Sequence, residues 1–142
     1  MSSRGQVAVA SWRSRGRRDD AGSAVVDFVL VGGLVIVLAL AVVQLAMGLH
    51  VRNVLVDSAS EGARYGAVDG RSPSDGAART RALIASSLSS RYADDVEASR
   101  IEEDGVELVE VRVRAPMPVI GFLGPSGALA VAGHAVAEDA LP

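Results

Sequence analysis

Gly22-Ser23-Ala24-Val25-Val26-Asp27-Phe28 opens the stretch that decides the fold, and it continues through Val29 to Leu49 without another charge. Phe28 to Leu49 is 22 residues long, with Gln44 its one amide. A helix needs about 20 apolar residues to cross a bilayer. Val, Leu, Ile and Ala fill this one on every side, and a soluble domain of this size has no use for such a helix. The stretch therefore reads as a membrane span at 23–49. Gly32-Gly33 weakens the helix locally, yet glycine is tolerated where every backbone group bonds within the helix. The unusual residue is Asp27, a carboxylate at the edge of the apolar run.

The flanking charge sets an orientation. Residues 1–22 carry five Arg against Asp19 and Asp20, a net +3, whereas nine Arg against 14 acids from His50 onward leave −5. Positive charge beside one end of a span holds that end in the cytoplasm. The sequence thus predicts the N-terminus inside and the C-terminal domain outside the cytoplasmic membrane. Arg next to an apolar helix marks topology far more often than nucleic-acid binding, so nucleic acid is not an expected partner. The apolar run is too long for an ordinary secretory signal, whose core spans 7–15 residues.

Beyond the span the helical pattern persists. Val51, Val54, Leu55, Ser58, Ala59, Gly62 and Tyr65 share one face at helical spacing, opposite Asn53, Asp57, Glu61 and Arg64. Residues 50–67 are therefore expected to extend the span into one rod of about 65 Å from Ser23 to Tyr65. Ser58, Gly62 and Gly66 form a small-xxx-small stripe that lets another backbone approach closely. That backbone belongs either to the chain's own sheet or to another subunit.

The remainder, 68–142, reads as one small α+β domain. Ser72-Pro73-Ser74-Asp75 has the signature of a helix start, with Ser72 as N-cap and Asp75 three residues on. An apolar face of Ala78, Ala82, Ala85, Leu88 and Tyr92 carries the helix to about Tyr92. Asp104-Gly105 marks a hairpin between two strands, the second alternating Val109, Val111, Val113 and Ala115 with Glu110, Arg112 and Arg114. Ala128 to Glu138 supplies a third strand. The Pro- and Gly-broken loop 115–125 is expected to cover the sheet with Ile120, Phe122 and Leu123.

Catalytic chemistry finds no foothold. Without cysteine there is no disulfide framework and no thiolate metal site. His50 and His134 lack a second ligand at suitable spacing, and Glu102-Glu103-Asp104 reads as a solvated turn tip. No nucleophile elbow, phosphate loop or paired-histidine zinc motif occurs. The expectation is no enzyme, no metal, no cofactor and no small-molecule substrate.

Gly22-Ser23-Ala24-Val25-Val26-Asp27-Phe28 before an apolar helix resembles the class III signal of type IV pilin-like proteins. The continuation Arg52-Asn53-Val54-Leu55, then Ala59-Ser60-Glu61-Gly62-Ala63-Arg64-Tyr65-Gly66-Ala67, resembles the TadE-like pseudopilins of the tight-adherence (Tad/Flp) pilus and secretion apparatus. The resemblance implies that a prepilin peptidase cuts between Gly22 and Ser23 and leaves the apolar helix in the mature subunit. It implies a pilin-like α+β fold, and as partners other tight-adherence pilins and pseudopilins together with membrane lipid. It also implies that Asp27, where the family usually carries Glu, and Phe28 serve subunit assembly. Cleavage would create an amine on Ser23 one helical turn from Asp27, or facing the Asp27 of a neighbour. A carboxylate at the membrane centre costs about 2.5–3.5 kcal/mol on insertion scales, so a cationic partner is expected. The alternative function is an uncleaved single-pass anchor that scaffolds another envelope protein.

Overall fold

The computed structural model describes residues 16–118 and 127–138. The chain divides into two compact units, one reaching Val42 and one from Val43 onward, and each is described by itself. Element order is α1 (Gly16–Ala67), α2 (Pro73–Ser87), a 3-10 turn at Ser90–Tyr92, then β1 (Asp95–Glu103), β2 (Val106–Pro116) and β3 (Ala128–Val136). The fold is α+β: a long N-terminal helix, a short second helix and a three-stranded antiparallel sheet in the order β1-β2-β3.

In the first unit α1 presents its apolar side chains outward. Phe28, Val35, Ile36 and Leu38 are all exposed, and none of the most apolar window of the helix is buried. Transfer from water to an apolar medium is worth about 1.5–3 kcal/mol for each large side chain. This is the one helix among the described residues long and apolar enough to cross a membrane.

In the second unit, burial along α1 begins at Val51 and becomes one-sided. Val51, Leu55, Ala59 and Ala63 enter a core with Ala77 and Ile84 of α2, Tyr92, and Val96, Val111, Val113 and Val131 of the sheet. Ser58, Gly62 and Gly66 are buried on the same side. Tyr65 departs from the expected face: it is exposed, with the Arg71 guanidinium stacked 3.5 Å from its ring centroid. Aromatic stacking on an Arg lets the ring stay at the surface.

Helix α2 starts as its sequence requires. The Ser72 backbone N–H donates to the Asp75 carboxylate at 2.9 Å, and the Asp75 N–H donates to Ser72 Oγ at 3.3 Å, closing a reciprocal capping box. The bond from the Ser72 hydroxyl, reinforced by that backbone N–H, holds the Asp75 carboxyl below its ordinary value of 3.8.

Its apolar face and its end differ from expectation. Ala78, Ala82 and Ala85 are exposed, and the buried positions are Gly76, Ala77, Thr80 and Ile84. The helix stops at Ser87, and Tyr92 reaches the core from the 3-10 turn. The face is rotated because α2 must offer its smallest residue, Gly76, to the glycines of α1.

The β1–β2 hairpin turns on Asp104 (φ 53) and Gly105 (φ 78). Positive φ at both central residues gives the turn whose twist matches the strands it joins. Val109, Val111, Val113 and Ala115 face the core, with Arg112 and Arg114 on the opposite face. Glu110 shares that opposite face but is only 6% exposed, bonded to Arg112 at 2.9 Å and to His134 Nε2 at 2.8 Å. Met117 N–H donates to the Gly127 carbonyl and ties the ends of β2 and β3 together. Ile120, Phe122 and Leu123 lie outside the described residues.

One contact fixes how α1 meets the sheet. A Cβ built on Gly133 of β3 would fall 2.4 Å from Ala59 C and Ser60 N, where no side chain fits without moving a backbone. Gly133→Ala should therefore cost about 1–3 kcal/mol of overpacking. Gly127→Ala, with no atom within 4 Å of its new Cβ, is the control. Thermal unfolding should show a lowered midpoint for the first variant and parent behaviour for the second.

Candidate functional site

The residues to which the sequence gives an assembly role all lie on α1. Gly22 and Ser23 sit inside the helix, which begins at Gly16 rather than at the expected Ser23. Both are exposed, and a Cβ at Gly22 would touch nothing. Asp27 is exposed one turn beyond Ser23, at the i+4 spacing that places two side chains on one helix face. Phe28 is 77% exposed beside it. The first unit therefore displays an acid and a largely exposed aromatic ring at the start of its exposed apolar stretch.

Ser58, Gly62 and Gly66 are used differently. A Cβ on Gly62 would lie 1.8 Å from Thr80 Oγ1 and 2.7 Å from the Gly76 carbonyl oxygen of α2. One on Gly66 would lie 3.1 Å from the Ser72 carbonyl oxygen and 3.3 Å from Gly76 Cα. Seen from α2, a Cβ on Gly76 would meet the Gly62 carbonyl oxygen at 2.6 Å. Thr80 Oγ1 donates to the Gly76 carbonyl at 3.0 Å and lies 3.3 Å from the Ser58 carbonyl. The small-residue stripe is thus filled by the chain's own α2. The sheet is met one position away, where Ala59 and Ser60 lie against Gly133. Gly76 and Gly133 complete these two contacts, and no spacing in the sequence ties either glycine to the α1 stripe.

Comparison with known families bears on this same helix. Residues 22–64 match the TadE-like protein family. Over that stretch, most of α1, the chain is similar to TadE-like proteins. The match starts at Gly22, ends at Arg64 beside the Tyr65–Arg71 stack, and leaves α2 and the sheet outside it. The matched stretch overlaps the one helix among the described residues long and apolar enough to cross a membrane. No curated protein and no solved structure matches the chain.

Among the described residues no three His, Asp or Glu side chains are grouped so as to hold a metal ion. His134 is engaged with Glu110, and His50 is exposed at the start of the one-sided part of α1.

The glycine contact between α1 and α2 generates a test. Gly62→Leu cannot be accommodated while Gly76 and Thr80 stay in place, so α2 should detach. Limited proteolysis of the membrane-inserted protein should then cut within residues 68–95, where the parent resists. The variant should still sediment with membranes, because the apolar part of α1 is untouched.

Proposed function

We propose that this chain is a TadE-like, minor pilin-like subunit, processed by a prepilin peptidase between Gly22 and Ser23 and assembled into a tight-adherence pilus through α1. The observation that carries this reading is the change of character along one helix. From Val25 to Leu49 its large apolar side chains are exposed all round, and from Val51 it buries one face in its own domain. A helix built that way serves a membrane first and a helical filament core afterwards, carrying a folded domain throughout.

Cleavage fits the charge distribution. Removing residues 1–22 takes away all five leader Arg and leaves a cationic amine on Ser23. The subunit loses its anchor in the cytoplasmic headgroup layer and gains a partner for Asp27. Pairing of the Ser23 amine of one subunit with Asp27 of another neutralises a carboxylate that would otherwise enter lipid alone. The +3 leader and −5 remainder support a cytoplasmic N-terminus and an extracytoplasmic domain in the cytoplasmic membrane. The role is structural, with no reaction to catalyse. Continuity of α1 through the Gly22–Ser23 bond is the one observation that favours the second reading, an uncleaved single-pass scaffold.

Asp27 separates assembly from insertion. Asp27→Ala should reach the membrane at parent levels, since an expensive group has gone, yet should no longer co-purify with other pilins or support piliation. Asp27→Glu should retain both. Normal piliation by Asp27→Ala at equal protein level would overturn the pairing role.

A further inference from the structure

The sheet has two outer edges, and they are protected unequally. Antiparallel pairing makes alternate residues of an edge strand turn their N–H and C=O groups away from the sheet. The register of β1, closed by its two-residue turn, sends the backbone groups of Ala98 and Glu102 outward. On β3 the bond from Ala137 N–H to the Glu107 carbonyl sets the phase, so Ala130, Ala132, His134 and Val136 face outward. Among the described residues, no hydrogen bond outside the ladder reaches the backbone groups of Ala130, Ala132 or Val136.

Acids surround the β1 edge: Asp94, Asp95, Glu97, Glu102 and Glu103. Such charge keeps two like edges from pairing. The β3 edge has no Asp, Glu, Lys or Arg at all from Ala128 to Val136.

The outer face of the sheet shows what would complete that edge. Its cross-strand rows read Asp95–Arg114–Ala130, Glu97–Arg112–Ala132 and Ile101–Leu108–Val136. Arg112 and Arg114 are more than half exposed and look across bare alanine methyls, while Val136 is an exposed apolar end. Arg114 is held only loosely by Asp95 and Glu97, at 3.8 Å each. The residue each row lacks beyond β3 is the residue with which the row begins.

We propose that β1 of a second copy adds to β3 in parallel, Glu97 of that copy beside Ala132 and its Ile101 beside Val136. The sheet then continues from copy to copy. Strands sit about 4.8 Å apart, so the incoming Glu97 lies about 10 Å of backbone from Arg112, a span two long side chains close over an alanine. The incoming Ile101 covers Val136. Pairing starts from Ala98, because Arg81 of α2 already donates to the Val96 carbonyl. Two β1 edges would set acid against acid, and two β3 edges offer no attraction, so the contact is head-to-tail and does not close at two copies. It involves only the second unit and holds whether or not residues 1–22 are removed.

The absence of cysteine makes the test direct. Full-length Glu97→Cys and Ala132→Cys chains, differently tagged, are co-expressed and oxidised in the membrane. Adjacent parallel strands place the two Cα atoms within disulfide range. A disulfide-linked dimer of mixed tags, missing when either variant is expressed alone, is the expected result. Adding Ala130→Glu to the Ala132→Cys chain sets an acid beside the incoming Asp95 and should abolish the mixed dimer. No mixed dimer, dimers of one variant with itself, or a mixed dimer indifferent to Ala130→Glu would each overturn the proposal.

Discussion

Backbone meeting backbone is the constraint on which the second unit depends. Gly62 and Gly66 of α1 sit against Gly76 of α2, and Ala59 and Ser60 sit against Gly133 of β3. At each contact one partner has given up its side chain, so the layers approach more closely than leucine-to-leucine packing permits. Close packing of this kind suits a chain with only 4% aromatic residues and a core made mostly of Val and Ala. Its cohesion comes from many small dispersion contacts at short range. The same constraint explains the identity of the buried face of α2, which is set by Gly76 and Thr80 rather than by the larger alanine count on the opposite side.

A second division of labour follows from hydropathy along α1. Where the helix is apolar all round, it has no preferred face and is suited to lipid or to the interior of a helical array. From Val51 it carries charge on one side and a core on the other. The residues that match the TadE-like family bridge both regimes, from Gly22 to Arg64. In the proposed pilus the apolar part would supply cohesion, and Asp27 would supply register at the point where subunits meet.

Much of this was legible in the sequence, and the reasons are local. Hydropathy exposes a span of 22 residues directly. The capping box at Ser72 and Asp75 and the Asp104-Gly105 turn are short-range signals that the backbone obeys whatever surrounds them. Misreadings occurred where tertiary contact decides. Alanine periodicity suggested Ala78, Ala82 and Ala85 as the apolar face of α2, but alanine is indifferent to burial, and the glycine contact rotated the helix. Helical spacing groups Tyr65 with the buried stripe, but Arg71 gives it a partner at the surface. Alternation places Glu110 on the outer face, as observed, but does not show that Arg112 and His134 bond it there and leave it buried. At the head of the apolar part of α1, Gly22, Asp27 and Phe28 are legible as a motif, but the role proposed for them rests on contacts with other chains, which one chain's fold does not contain.

The N-terminal mass of the protein extracted from membranes of a host that makes prepilin peptidase tests the central claim most directly. A mature chain starting at Ser23, shifted back to the full precursor mass by Gly22→Leu, is the expected result. A parent chain that keeps residues 1–22, identical in mass to Gly22→Leu apart from the substitution itself, would contradict processing and leave an uncleaved membrane-anchored protein in its place.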